Sequence, residues 1–126
     1  NIQIETIVKI MKDKGLTVKV SSIHVNGWLG NYNKLNMTKS LMKECFHINL
    51  EKKKNEFLFI GDSPNDEPMF KFFPHSVGVA NVKKFLSSIN HKPKYVTNGG
   101  FGAGFSEAIN TILCAKKNLN NFTNTR

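Results

Sequence analysis

The sequence contains almost no arginine, few acidic residues and only two cysteines. Arg126 is the only arginine, so seventeen of the eighteen basic residues are lysine, although the formal net charge is +9. Arginine is the side chain best suited to base edges and to bidentate phosphate contacts, so its near absence argues against a nucleic-acid-binding protein. Cys45 and Cys114 cannot build a disulfide scaffold, and we expect both thiols to lie in or near the core. We interpret most of the positive charge as a solvated lysine surface.

Long apolar runs and targeting signals are also missing. No stretch approaches the roughly 20 apolar residues that a membrane-spanning helix needs, and nothing resembles a signal peptide. Hydrophobic residues make up 40% of the 126 residues and charged residues 21%, which is ordinary for a globular domain. The sequence therefore predicts a folded chain of single-domain size, without a membrane partner, in the cytoplasm.

The apolar pattern predicts helices that alternate with strands. Helical spacing indicates a helix at 2–14, β-branched residues predict a strand over 17–25, and glycine with asparagine predicts a loop over 26–33. The elements predicted after this loop are a helix through 37–46, a buried strand at 57–60, a short helix ending near 73, a strand at 76–80, helical turns within 82–89, a strand at 95–97, a glycine-rich loop at 98–104, a helix at 105–113 and a frayed polar tail from 116. Such alternation is typical of an α/β fold with a Rossmann-like parallel sheet and flanking helices.

An acidic cluster follows the predicted buried strand. Three of the nine acidic residues of this basic chain lie between Asp62 and Glu67. Ligands bind at the carboxyl ends of strands in open α/β sheets, and two carboxylates four positions apart can hold a hard cation such as Mg²⁺. The alternative is a capped turn, in which Asp62 or Ser63 caps a short helix that has proline in its first turn. The residue pattern by itself leaves both interpretations open.

The residues around this cluster resemble the fourth motif of the haloacid dehalogenase superfamily of phosphohydrolases. The similar run is Gly61-Asp62-Ser63-Pro64-Asn65-Asp66 after an apolar strand, continued through Met69 and Phe70. The later segments 76–81 and 95–97 also fit, so the resemblance covers roughly residues 32 to 113. Within the superfamily, the run resembles the Cof-type and sugar-phosphatase branch (subfamily IIB), in which an α/β cap is inserted into the core.

The resemblance implies roles for four residues of the acidic loop, which comprises residues 62–66. Asp62 would be a Mg²⁺ ligand, and Asp66 would support the metal directly or through its waters. Asn65 would contact the phosphate or order the water shell of the metal, and Ser63 would line the same loop. The implied cofactor is Mg²⁺, and the implied ligand is a small phosphorylated metabolite.

A lysine near the start of a helix corresponds to the third motif of the family. Lys34 suits this position, and Lys39 is the alternative because it also lies near the predicted helix start. The lysine would offset negative charge between a nucleophilic carboxylate and the phosphoryl group. Many members have aspartate before and glycine after this lysine, whereas Asn33 and Leu35 flank Lys34 here.

The nucleophile of the family has no counterpart in this sequence. It belongs to an Asp-x-Asp-x-Thr motif, whereas Asp13 is the only aspartate before Asp62. We therefore expect residues 1–30 to be the end of the cap with its return linker, residues 31–117 the C-terminal part of the core, and residues 118–126 a polar tail. The resemblance implies a phosphatase that hydrolyses a small phosphorylated metabolite, such as a sugar phosphate, through an aspartyl-phosphate, with its nucleophile in a preceding part. This chain alone would then be inactive.

Two other classes of function stay open at this point. One is a non-catalytic α/β scaffold module, and the other is a basic nucleic-acid-binding module, which the scarcity of arginine disfavours. The lysines that would form the nucleic-acid surface are Lys52, Lys53, Lys54, Lys83 and Lys84. The glycine-rich loop at 98–104 lacks the Gly-x-Gly-x-x-Gly spacing of a dinucleotide site, so we do not expect nucleotide binding there.

Overall fold

The structure, a computed structural model, describes residues 2–21 and 23–123, with side chains described up to residue 118. The helices are α1 (Ile2–Asp13), α2 (Lys34–Phe46), α3 (Leu50–Lys53), α4 (Glu67–Phe72) and α5 (Phe101–Thr123). The strands are β1 (Thr17–Val20), β2 (Val25–Trp28), β3 (Leu58–Gly61), β4 (His75–Gly78) and β5 (Tyr95–Val96). Three short 3-10 segments lie at Lys54–Glu56, Pro64–Asp66 and Ala80–Phe85. No helix in this part of the chain is long and apolar enough to cross a membrane.

Strands β3, β4 and β5 form a parallel sheet in that order. Ile60 of β3 pairs with Val77 of β4, and Val77 pairs in turn with Tyr95 of β5. Parallel neighbours require a crossover connection, and here α4 connects the first pair while the Ala80–Phe85 segment lies between the second. The predicted α/β fold class, with a Rossmann-like parallel sheet and flanking helices, is confirmed.

The apolar core is built around Phe59 of β3. Its two buried clusters consist of Leu50, Met69 and Phe73, and of Phe70, Val82 and Ile89. Phe59 packs against both clusters, edge-to-face with Phe70 at 5.5 Å between ring centroids and stacked on Phe73 at 6.1 Å. Helix α4 thus buries side chains in both clusters, and this packing fixes the loop that connects β3 to α4.

Strands β1 and β2 form a separate antiparallel hairpin that α1 covers on one face. The register places Val18 opposite Gly27 and Lys19 opposite Asn26. Because successive side chains alternate across a strand, these two pairs lie on opposite faces. Val18 is buried, and Gly27 lies under Met11 of α1, where a Cβ atom would collide with the methionine methyl group. The other face of the hairpin, which carries Lys19, points away from α1.

The prediction of one strand over 17–25 is wrong. The chain reverses between β1 and β2, where the backbone N–H of Ser21 donates to the carbonyl oxygen of His24 at 2.8 Å and the N–H of His24 donates to the Ser21 hydroxyl at 3.1 Å. A serine side chain that bonds the backbone two or three residues on can build such a turn without glycine. The predicted loop at 26–33 is correspondingly shorter, because β2 extends to Trp28.

The last helix is longer than the sequence predicts. Helix α5 begins at Phe101, inside the predicted glycine-rich loop, and extends to Thr123, through most of the predicted frayed tail. Gly104 suits a tightly packed first turn, because a Cβ atom there would lie 2.7 Å from the Thr97 hydroxyl. The last residues of that predicted tail, 124–126, lie outside the described residues.

Both cysteines are exposed, so the prediction that they lie in or near the core is wrong. Cys45 belongs to α2, a helix that has no buried residue, and Cys114 belongs to an exposed stretch of α5. The apolar stripe of each helix is therefore a poor guide to burial here, because most of the buried side chains lie around β3 and α4 instead.

Candidate active site

The loop between β3 and α4 places the acidic cluster at the carboxyl end of the parallel sheet. Strand β3 ends at Gly61, Asp62 is the next residue, and Asp66 ends the Pro64–Asp66 turn before α4 begins. The carboxylate of Asp66 lies where a side chain on residue 61 would project, because a Cβ atom there would be 2.6 Å from Oδ2 of Asp66. Glycine at 61 is therefore needed for this close approach.

The carboxylate of Asp66 is buried, and both of its oxygens are engaged. Asp66 is 2% exposed. Its Oδ2 accepts hydrogen bonds from the backbone N–H groups of Asp62 at 2.9 Å and Ser63 at 3.3 Å, and its Oδ1 accepts one from Nζ of Lys34. A buried carboxylate requires such partners, because an unpaired charge in a low-dielectric environment is costly. Asp66 therefore closes the loop and fixes the lysine at the same time.

Lys34 is the first residue of α2 and contacts a loop 32 positions further along the chain. The side chain of Asn33 caps this helix by accepting a hydrogen bond from the backbone N–H of Asn36 at 2.8 Å, which fixes the start of the helix. The Lys34 side chain is 45% exposed although Asp66 is buried. The Lys34 side chain therefore bonds Asp66 and is still partly exposed to solvent.

Lys39, the alternative to Lys34, lies away from the acidic loop. Its ammonium pairs with Glu51 at 2.6 Å and lies 4.3 Å from the centroid of the Phe72 ring. The structure thus brings Lys34, and not Lys39, to the acidic loop.

Asp62 is held by Asn81, a residue that the sequence analysis did not single out. Nδ2 of Asn81 donates to Oδ2 of Asp62 at 2.8 Å, and Oδ1 of Asn81 accepts from the backbone N–H of Phe101 at 3.0 Å. One amide therefore connects the loop after β3, the segment after β4 and the start of α5. The position of Asn81 directly after a predicted strand, as for Asp62, was the signal that could have identified it. Within the described residues, the second oxygen of Asp62, Oδ1, accepts no hydrogen bond.

The segment before α5 is fixed by Glu107. The Glu107 carboxylate accepts hydrogen bonds from the backbone N–H groups of Asn98 at 3.0 Å and Gly99 at 2.8 Å. The N–H of Gly99, followed by that of Asn98, favours the ionised carboxylate and lowers the pKa of Glu107 below its usual value. The bonds hold the chain that leads into Phe101, whose N–H in turn bonds Asn81.

The two remaining predicted site residues lie in the acidic loop and contact each other. Ser63 is 4% exposed, and its hydroxyl donates to Oδ1 of Asn65 at 2.7 Å. Asn65 is half-buried. The serine therefore orients the asparagine, whose amide N–H groups remain available to a ligand.

A cleft of about 680 Å³ opens between the hairpin and the start of α2. Its lining residues are Lys19, Asn26, Trp28, Tyr32, Asn33, Lys34, Met37, Asn65 and Pro68. Ligand pockets commonly enclose roughly 300–1,000 Å³, so the cleft is large enough for a small metabolite. Two of the predicted site residues, Lys34 and Asn65, line it, whereas Asp62 does not.

The donor set at the acidic loop fits Mg²⁺ better than zinc. No group of three or more histidine, cysteine, aspartate or glutamate side chains that could hold a metal occurs within the part of the chain that the structure describes. Zinc sites require three or four such ligands. Mg²⁺, in contrast, commonly takes only one or two carboxylates and fills its other positions with waters and substrate phosphate. The unpaired oxygen of Asp62 is a donor of this kind.

Two of the lysines considered for nucleic-acid binding have partners within the chain. The ammonium of Lys53 pairs with Glu56 at 3.4 Å, and that of Lys54 lies 5.6 Å from the centroid of the Phe72 ring. Nucleic-acid binding itself stays an untested prediction.

Comparison with known proteins identifies the family of the chain. A sequence model of haloacid dehalogenase-like hydrolases matches residues 3–98, which is more than half of the chain. The matched range extends from α1 to just beyond β5, and it includes the hairpin, Lys34 and the whole acidic loop. No curated protein and no solved structure gave a match. The chain therefore belongs to the haloacid dehalogenase-like hydrolase family.

Proposed function

We propose that this chain supplies the metal-binding and charge-offsetting part of a Mg²⁺-dependent phosphatase that hydrolyses a small phosphorylated metabolite, with sugar phosphates as the candidate class. The observation that carries the proposal is the acidic loop, where Asp66 holds Lys34 and Asp62 keeps one oxygen without a partner among the described residues. The hydrolase family of the chain supports the reaction class. The separate hairpin under α1 supports the Cof-type branch, with residues 1–30 as the end of its cap.

Lys34 is proposed to bind the phosphoryl group from the cleft side. An ammonium group has three N–H donors, and Asp66 accepts only one of them, so two remain for phosphate oxygens. Asn65 lines the same cleft, and its carbonyl oxygen is occupied by the Ser63 hydroxyl, so it presents its amide donors. Together the two side chains would orient the phosphate and offset its charge.

Asp62 is proposed to hold the metal through Oδ1, because Asn81 already occupies Oδ2. When bound, Mg²⁺ would supply positive charge that offsets the phosphoryl oxygens. Both oxygens of Asp66 already accept hydrogen bonds, and Oδ1 accepts only the one from Lys34, so we propose that Asp66 supports the metal through an ordered water that donates to Oδ1 rather than by direct ligation. Asp62 would then be the ligand, and Asp66 would be the residue that positions Lys34.

The nucleophile is proposed to come from a segment N-terminal to this sequence. Formation of an aspartyl-phosphate requires an unengaged carboxylate beside the phosphorus atom. Asp66 is bound on both oxygens, and Asp62 is assigned to the metal. This chain alone is therefore proposed to bind metal and phosphate without turning substrate over.

Binding of a divalent cation to the 126-residue chain tests the ligand assignment. Mn²⁺ is the probe, because it occupies magnesium sites and broadens the NMR signals of nearby nuclei. We expect broadening centred on residues 61–66 and 81, and we expect Mg²⁺ to reverse it by competition. Asp62→Asn should weaken the apparent affinity by about tenfold or more, since the site would lose its only charged ligand.

The matched control for this experiment is Asp13→Asn. Asp13 is the exposed last residue of α1, and its substitution makes the same change of charge. It should leave the Mn²⁺ titration unchanged. Broadening that is centred elsewhere, or that persists unchanged in Asp62→Asn, would contradict the proposal and favour the scaffold hypothesis.

A further inference from the structure

We propose that the cleft beside Lys34 selects phosphate esters that carry a second anionic group, and that Lys19 on β1 binds this second group. The inference rests on the proposed function, because it assumes that the first phosphate is bound at Lys34 and Asn65. It adds the chemical class of the substrate, which the family match does not specify.

The hairpin register places Lys19 on the face that lines the cleft. Lys19 pairs with Asn26, and Thr17 pairs with Trp28 two positions away on each strand, so these side chains share one face. The opposite face carries Val18 and packs against α1. Lys19, Asn26 and Trp28 all line the cleft, and none of the hairpin residues of the opposite face does.

The charges of the cleft are unbalanced. Its lining contains two lysines and no acidic residue. Lys34 has a carboxylate partner in Asp66, whereas Lys19 makes no salt bridge within the part of the chain that the structure describes. A concave, partly apolar surface that carries one uncompensated cation attracts an anionic ligand group. Because the phosphate of the ester would bind at Lys34, we expect Lys19 to bind a second anionic group of the same ligand.

The surface between the two lysines fits a ring or an apolar body. Nε1 of Trp28 donates its only N–H to the carbonyl oxygen of Tyr32 at 3.0 Å. This hydrogen bond fixes the indole ring. The only polar group of the ring is thereby engaged, so its apolar face is left to line the cleft. Met37 and Pro68 line the same cleft. The ligand is therefore a phosphate ester with a ring-shaped body and a further anionic substituent.

Three sugar phosphates with the same ring test the inference. They are glucose 1-phosphate, glucuronic acid 1-phosphate and glucose 1,6-bisphosphate, and their binding to the 126-residue chain is measured by calorimetry with Mg²⁺ present. We expect at least one of the two ligands that carry a second anionic group to bind about tenfold more tightly than glucose 1-phosphate, which corresponds to about 1.4 kcal/mol. Comparison of these two ligands shows whether the second group is a carboxylate or a phosphate.

Lys19→Gln should abolish this preference and leave the affinity for glucose 1-phosphate within about twofold of the unsubstituted chain. The control is Lys14→Gln, which removes the same charge from the turn before β1 and should keep the preference. A preference that survives in Lys19→Gln, or equal binding of all three ligands by the unsubstituted chain, overturns the inference while the proposed function stands. If none of the three ligands binds, both the inference and the proposed function fail.

Discussion

At the scale of single residues, the two aspartates of the acidic loop have different tasks although they lie four positions apart. Asp66 is buried and bonds Lys34 together with two backbone N–H groups. Asp62 is less buried, and Asn81 orients it through one oxygen only. The capped-turn and metal-site interpretations of the sequence are thus compatible, because Asp66 closes the turn and leaves Asp62 available.

Asn81 is predicted to act as a positioning residue for Asp62. Asn81→Ala removes the amide that holds Oδ2, so we expect the affinity for Mn²⁺ or Mg²⁺ to fall by about tenfold, as for other residues that orient a metal ligand. The measurement is the same NMR titration with Mn²⁺. Asn110→Ala, on the exposed surface of α5, is the matched control and should leave the affinity unchanged.

A loss of stability alone would not account for weaker metal binding by Asn81→Ala. Deletion of the Asn81 side chain also frees the N–H of Phe101, so the free energy of unfolding should fall by about 1 kcal/mol. Urea unfolding of the same variant measures this cost separately. If Asn81→Ala loses stability but binds metal as tightly as before, Asn81 only ties α5 to the sheet, and its positioning role is disproved.

At the scale of elements, the start of α5 depends on one carboxylate. Glu107 is the seventh residue of α5, and its carboxylate accepts hydrogen bonds from the backbone N–H groups of Asn98 and Gly99. These bonds depress its pKa from the ordinary value of 4.5. Because the folded-state pKa is lower than the unfolded one, the stabilisation is complete above pH 4.5 and is lost as the pH falls through the folded-state value.

The corresponding prediction concerns unfolding by urea at several pH values. Glu107→Gln should lower the unfolding midpoint at neutral pH, and it should reduce the loss of stability that the unsubstituted chain shows below pH 4.5. Glu44→Gln, on the exposed surface of α2, should change neither. A Glu107→Gln variant with the same acid sensitivity as the unsubstituted chain would show that Glu107 does not hold this segment.

The elements also differ in how much of their structure can be predicted from the sequence. The buried strand at 57–60 and the acidic loop were predictable because an apolar run followed by Gly61 and Asp62 is a local pattern. The hairpin was not, because its turn uses the Ser21 hydroxyl in place of glycine. The contact of Asn81 with Asp62 joins positions 19 residues apart, and no local pattern encodes such a contact. The direction in which Lys19 faces follows only from the strand register.

At the scale of the whole molecule, the hairpin, the acidic loop and the start of α2 meet at the cleft. The hairpin contributes Lys19 and Trp28, while the acidic loop contributes Asn65 and the start of α2 contributes Lys34. The hairpin thus supplies one part of the cleft lining, and the start of α2 with the acidic loop supplies another. Substrate selection is expected to depend on the hairpin side of the cleft, phosphate binding on Lys34 and Asn65, and metal binding on Asp62 of the same loop as Asn65.

The carboxylates available at the site predict that the chain binds ligands without catalysing hydrolysis. Within the described residues, the carboxylates at the site are Asp62 and Asp66, and the second has both oxygens engaged. We therefore expect the purified 126-residue chain to release no more phosphate from p-nitrophenyl phosphate with Mg²⁺ than an Asp62→Asn sample prepared identically. Equal traces in both samples would come from a contaminating phosphatase. Mg²⁺-dependent release that Asp62→Asn and Lys34→Ala both abolish would instead show that the site of this chain hydrolyses phosphate esters by itself, and it would disprove the requirement for a nucleophile from a preceding segment.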